Sequence, residues 1–150
     1  MTLKEKINED IKTSMKSGDK VRLETVRSIR ALILEFEKSG AGREINPDDE
    51  MKMLTSSVKK RKDAIAQYKN AGRNDLAEKE EAELKIIMEY LPKQLSEDEI
   101  SETIKMIAGE IGAKGKEDFG KLMPAVMKEL KGKADGKIVK SMVEKLLGIN

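Results

Sequence analysis

The chain has no cysteine, no histidine and no tryptophan, and aromatic residues make up only 3% of it. Without cysteine there are no disulfides, thiolate nucleophiles or Cys-ligated clusters, which fits a reducing compartment and makes the cytoplasm the expected location. Without histidine the side chain that titrates near neutral pH is gone, and with it His-based nucleophilic triads and His-ligated zinc. Catalysis would have to run on Lys, Ser, Tyr or carboxylates. With 28 acidic residues, many carboxylate pairs arise by chance, so no spacing marks an acid–base pair. No cofactor and no metal are expected. Long apolar runs are missing as well. The longest strongly apolar stretch is Ala31, Leu32, Ile33 and Leu34, far short of the roughly 20 residues of a membrane helix. The first ten residues alternate charge with apolarity, unlike a secretory leader, so no membrane partner is expected.

What remains is a 150-residue chain with 39% charged residues and nine methionines, a composition that suits helices better than strands. Leu3, Ile7, Ile11 and Met15 fall four apart and predict a first helix ending near Gly18. Asp19 can cap a second helix. Its apolar residues Leu23, Val26, Ile29, Leu32, Ile33, Leu34 and Phe36 occupy more than one face, which predicts the most buried element. Asn46-Pro47-Asp48-Asp49-Glu50 reads as a cap, a first-turn proline and acids at the positive end of a long third helix. Met51, Leu54, Val58, Ile65 and Tyr68 run along it to Gly72. A short turn there makes the fourth helix, with Leu76, Leu84, Ile87, Met88 and Leu91 inward, its antiparallel neighbour.

Prolines number three, and the second, Pro92, marks a break, because it lacks the amide that a helix requires. Ser96 and Glu99 then form a capping box for a new helix, with Ile100, Ile104, Ile107 and Ile111 at helical spacing. Phe119, Leu122, Val126 and Leu130 predict another helix, in which Pro124 should kink the chain or mark the true start. Ile138, Met142, Leu146 and Leu147 predict the last. The expected fold is therefore all-α: a bundle of about four helices over residues 1–92, then a smaller three-helix domain over 96–150. A domain of about 55 residues is marginal alone, so contact with the first lobe or with a partner should support it.

Lysine and arginine total 30 against 28 acids, so the net charge of +2 predicts no polyanion partner by itself, and its distribution must carry that question. From Gly112 to Asn150 there are nine lysines and five acids, a local net of +4. Gly112-Ala113-Lys114-Gly115-Lys116 departs from the Walker pattern at both ends. What repeats is Gly-Lys, at 115–116, 120–121, 132–133 and 136–137, where helix ends and turns are expected. Glycine allows close approach, helix N-termini offer free N–H groups and lysine adds charge, a combination suited to phosphate oxygens. Lys114, Lys116, Lys121, Lys128, Lys131, Lys133, Lys137 and Lys140 are the candidate nucleic-acid-binding residues, expected to converge on one face. On spacing alone, the competing reading is that the glycines end helices and the lysines solvate them. Because Phe119 is expected in the core, backbone or shape recognition of a folded nucleic acid is favoured over base stacking.

Lys59, Lys60 and Lys62 point around the helix axis and read as a solvated face, but Arg61 lies on the seam of Leu54, Val58, Ile65 and Tyr68. Across the turn near Gly72, Glu80 and Glu83 come within plausible reach, so a partly buried ion pair with one of them is expected. The alternative is that the arginine stem covers the seam while its head reaches water.

Lys60-Arg61-Lys62-Asp63-Ala64-Ile65, Gly72-Arg73-Asn74-Asp75-Leu76-Ala77, Glu80, Glu83-Leu84 and Tyr90-Leu91-Pro92-Lys93-Gln94-Leu95-Ser96 resemble the YqeY-like, or GatB/YqeY, family. Arg22-Leu23-Glu24-Thr25-Val26-Arg27 extends the likeness to the start. Phe119-Gly120, Met123, Gly132, Ala134-Asp135-Gly136 and Val139 extend it to the end. The resemblance implies an N-terminal helical domain and a three-helix domain similar to the tail of the B subunit of tRNA-dependent amidotransferase, a tail associated with tRNA binding. Pro124 departs from the pattern.

The leading expectation is a non-catalytic tRNA-binding module, with a protein partner possible through the N-terminal domain. A second is an enzyme or accessory in glutamine-dependent amidation of misacylated tRNA, which is the carbon–nitrogen ligase label that the family carries. Nothing in so short a chain supplies that enzyme's kinase-like or amidase-like parts. A third is a helical interaction adaptor.

Overall fold

The computed structural model describes residues 1–149. Its seven α-helices are α1 (Leu3–Ser17), α2 (Lys20–Lys38), α3 (Pro47–Asn70), α4 (Asn74–Met88), α5 (Glu97–Ile111), α6 (Phe119–Leu130) and α7 (Gly136–Leu146), with a 3-10 turn at Lys116–Asp118 before α6. There is no strand among the described residues. The chain divides into two compact units, Met1–Leu91 and Pro92–Asn150, so the boundary falls immediately before the proline.

Local chemistry sets the helix ends. Thr2, Asp19, Asn46 and Ser96 each accept a hydrogen bond from the amide three residues on, satisfying donors that the first turn leaves open. At Ser96 only half of a capping box forms, because the hydroxyl faces the Glu99 carboxylate at 3.2 Å. Gly18 and Gly112 end α1 and α5 in the left-handed region, with φ of 75° and 71°, where a side chain would strain the backbone.

In the first unit α1 lies on α2 and α3 on α4, while α2 also meets both α3 and α4. The central place of α2 explains its apolar breadth: Val26, Ile29 and Ile33 are fully buried, with Leu3, Ile7, Leu54, Val58 and Ile87 around them. The loop before α3 is held from both sides. Arg43 grips Asp49 with two guanidinium nitrogens, Nη2 to Oδ1 at 3.0 Å, and lies 5.3 Å from the Phe36 ring centre. The amide of Leu3 donates to Glu50 at 2.7 Å, tying the start of α1 to α3. In the second unit α5, α6 and α7 each meet the other two. Their shared core is Ile100, Ile104, Ile107, Leu122, Val126, Leu130, Val139, Val143 and Leu147.

Three apolar stripes run differently from their four-residue spacing. Met15 is 59% exposed and Ser14 is buried in its place. At 100° per residue, Ser14 falls about 20° from Leu3 around the helix and Met15 about 120°. By the same drift Ala108 replaces Ile111 in the second core, and Val139 and Val143 replace Ile138 and Leu146, all three displaced residues being 41% exposed. Pro124 is neither the start of α6 nor outside it. The helix begins at Phe119 and carries the proline as its sixth residue.

Replacing Ile29, which is fully buried among three helices, by alanine should lower the unfolding free energy by about 2–5 kcal/mol, read from urea denaturation. Asp49 supplies a pH signature. Its hydrogen bond from Arg43, helped by the Asn46 amide, holds the carboxyl at about 2 against an ordinary 3.8. A carboxyl lowered in the folded state stabilises fully above its unfolded pKa, and that contribution fades as pH falls from about 4 toward 2. The stability gap between the wild type and Asp49→Asn should therefore shrink over that window in acid titrations followed by circular dichroism.

Candidate nucleic-acid interface and two polar clusters

The eight candidate lysines do not form one face. On α6, Lys121 and Lys128 are exposed and stand about 20° apart around the axis, opposite Leu122, Val126 and Leu130. On α7, Lys137 is exposed, opposite Val139 and Val143, and Lys145, absent from the sequence-based set, falls within about 80° of it. Each helix turns its apolar stripe to one shared core, so the faces opposite those stripes diverge. Lys140 faces Glu144 at 3.9 Å. Lys131 and Lys133 are half-buried after α6, and the Lys133 carbonyl accepts the Leu95 amide at 2.9 Å. Lys114 and Lys116 are exposed in the segment between α5 and α6.

Three of the peptide donors expected beside these lysines are occupied by carboxylates. The amides of Lys114 and Gly115 donate to Asp118 at 2.8 and 3.2 Å. These two bonds hold the Asp118 carboxyl below its usual range, and the charge of Lys121 adds to the effect. The Lys137 amide donates to Asp135 at 2.8 Å. At these three amides built-in carboxylates take the places that phosphate oxygens would fill. Gly120, one of the four Gly-Lys positions, is the second residue of α6, in its first turn.

Arg61 is the centre of the first polar cluster. Its Nη1 donates to Glu80 at 3.0 Å and to Glu83, and its Nη2 reaches the Ser28 hydroxyl at 3.2 Å. The Ser28 hydroxyl donates its own hydrogen bond to the Thr25 carbonyl at 2.6 Å, so its oxygen can accept from Arg61. The side chains of Arg61 and Glu83 are 16% and 10% exposed, and the planar fork of arginine suits such multiple contacts. Three helices, α2, α3 and α4, are joined through this one guanidinium.

The second cluster escaped sequence reasoning. A cavity of about 360 Å³ is lined by Lys6, Glu9, Asp10, Arg22, Glu89 and Tyr90. The Tyr90 hydroxyl donates to Asp10, and Arg22 reaches Glu89 at 2.5 Å and Asp10 at 3.8 Å. Residues 10, 22 and 90 are too far apart in sequence for any spacing rule to connect them. The available signal was that Arg22 and Tyr90 both belong to the segments carrying the family resemblance.

Gln94 and Leu95, from the same signature, serve the second unit. The Gln94 amide nitrogen donates to the carbonyls of Pro92 at 2.9 Å and Gly132 at 2.7 Å, and Leu95 packs against the second core.

These positions are those of a known family, the one described as Yqey-like protein, whose model matches residues 4–147. The chain belongs to the YqeY-like family. A relative from Pyrenophora tritici-repentis, named altered inheritance of mitochondria protein 41, mitochondrial, is 31% identical over 147 residues, covering 95% of this chain and 80% of its own. An uncharacterized protein of Schizosaccharomyces pombe is 33% identical over 92 residues, 60% of this chain and 72% of its own. The protein of the first name from Lachancea thermotolerans is 29% identical over 85 residues, 57% of this chain and 46% of its own. The names of the first and third place those proteins in mitochondria. In this YqeY-like chain no helix among the described residues is long and apolar enough to cross a membrane, and no group of three or more potential ligands is placed to hold a metal ion.

Removing the guanidinium at the first cluster strands the buried Glu83 carboxylate and leaves the half-buried Glu80 unpaired with it. Arg61→Ala should destabilise the chain by about 1.5–3 kcal/mol, and Arg61→Lys by less, in thermal or urea unfolding. Unchanged stability in both variants would show that the three-helix junction does not depend on the pair.

Proposed function

We propose that this YqeY-like protein is a non-catalytic tRNA-binding module whose second unit grips the phosphate backbone with lysine side chains. The outer face of α6 leads the contact, and the first unit provides the scaffold and a surface for a protein partner. The observation that carries the reading is the placement of Lys121 and Lys128. Both are exposed on the side of α6 turned from the core, within a segment of local net charge +4. Seven residues of helix separate them by about 10.5 Å along the axis, a reach that can touch two points of a backbone.

Two further facts favour backbone over base recognition. Phe119 is the single aromatic residue of the second unit, and it packs against the core, so no ring is offered for base stacking. The carboxylates of Asp118 and Asp135 hold three of the loop amides, which favours long flexible lysines as donors. Flexible ammonium groups tolerate varied phosphate positions, which suits shape and charge recognition of a folded RNA.

Binding to total tRNA should weaken steeply with salt. Each phosphate contact removed should lower the magnitude of the log–log slope by roughly 0.7 to 0.9. Lys121→Glu combined with Lys128→Glu should therefore flatten the salt dependence and reduce affinity, measured by fluorescence anisotropy across a salt series. Unchanged affinity in the double variant would refute the assignment to α6.

A further inference from the structure

A groove of about 310 Å³ in the second unit is lined by Glu97, at the start of α5, and by Lys137, Ile138, Ser141, Met142 and Lys145 of α7. Helical spacing orders the five α7 residues. Lys137, Ser141 and Lys145 fall four apart and form one stripe about 12 Å long, with the hydroxyl midway between the two amines. Ile138 and Met142 form the next stripe around the axis, between the lysines and the buried Val139 and Val143. Met142 packs partly against the core, whereas Ile138 is 41% exposed. The α7 ion pair joins Lys140 to Glu144, and among the described residues neither Lys137 nor Lys145 has a carboxylate within ion-pair distance. The groove therefore combines two uncompensated cations, a hydroxyl, an aliphatic floor and one carboxylate from the neighbouring helix. Its volume falls at the small end of ligand sites, which span about 300–1,000 Å³, a size for one nucleotide and not for a duplex.

Resting on the reading of the second unit as an RNA-binding module, we propose that this groove holds one unstacked guanosine residue of the bound RNA. The lysines meet its phosphate, the aliphatic floor covers one face of the base, and the Ser141 hydroxyl serves the ribose. Glu97 decides the base. A carboxylate only accepts hydrogen bonds, through two oxygens, and guanine presents two adjacent donors, N1–H and its exocyclic amine, on the Watson–Crick edge that proteins read in unstacked RNA. Adenine and cytosine set a ring-nitrogen lone pair beside their single amine, and uracil flanks its one N–H with two carbonyls. Each of these turns a lone pair toward the carboxylate. The base is held by its edge, so no aromatic ring is required.

The test titrates the full chain with GMP, IMP, AMP and UMP, followed by amide chemical shifts in α7. IMP lacks only the exocyclic amine of GMP, so it should bind about ten- to a hundredfold more weakly, the range for loss of a hydrogen bond to a charged group. Glu97→Gln should erase the preference for GMP while leaving AMP binding unchanged. A second arm uses an RNA hairpin with one unpaired loop guanosine, and the same hairpin with inosine there, which should bind more weakly. Equal affinity for all four mononucleotides, or a guanine preference that survives Glu97→Gln, would overturn the proposal. GMP binding with no difference between the two hairpins would make the groove a site for a free nucleotide and overturn its assignment to RNA. Because the groove does not include α6, GMP binding should persist in the Lys121→Glu, Lys128→Glu variant. Absence of guanine selectivity in a chain that still binds tRNA in a salt-dependent way removes this inference alone, and absence of tRNA binding removes the reading beneath it.

Discussion

Leu91 and Leu95 lie four residues apart and belong to different hydrophobic cores, with Pro92 between them. A continuous helix would put both side chains on one face, and the proline disfavours that helix at its own position and the one before it. Division into two units follows from this constraint. Each neighbour in Tyr90-Leu91-Pro92-Lys93-Gln94-Leu95-Ser96 then has local work. Tyr90 bonds Asp10 in the first unit, Gln94 satisfies the Gly132 carbonyl in the second, and Ser96 caps α5. The segment that carries the most specific part of the family resemblance is thus explained as the place where one core ends and another begins.

Helix starts were legible because capping is local: Asp19, Asn46 and Ser96 act within three residues of themselves. Buried faces were less so, because residues four apart drift by about 40° per step. A stripe chosen on that spacing leaves the core after two or three turns, which is how Met15, Ile111 and Leu146 came to be exposed. Arg61 could be placed near Glu80 and Glu83 because one short turn fixes the register of α3 against α4. No comparable shortcut joins Asp10 to Tyr90. The contribution of Ser28 to the Arg61 cluster was hidden for the same reason, since it comes from a helix 33 residues away.

Cation chemistry differs between the units. Every arginine lies at or before residue 73. Arg22, Arg43, Arg61 and Arg73 all contact carboxylates, using a rigid fork for fixed geometry. The basic residues of the second unit are all lysines. A lysine ammonium is a strongly hydrated point charge on a flexible stem, poor at fixing structure and well suited to a partner whose phosphates vary in position. A near-neutral total therefore conceals a difference between the units, with four arginines holding carboxylates in the first and only lysines, most of them exposed, in the second.

Pro124 is a cost borne by the second unit. An interior helical proline is unfavourable by about 3 kcal/mol relative to alanine, a large fraction of the stability of a unit this small. The second core offsets it with fully buried Leu122, Val126, Val139 and Val143, so the proline is tolerated. It stands on the exposed face of α6, opposite Leu122, Val126 and Leu130, where its ring displaces no core side chain.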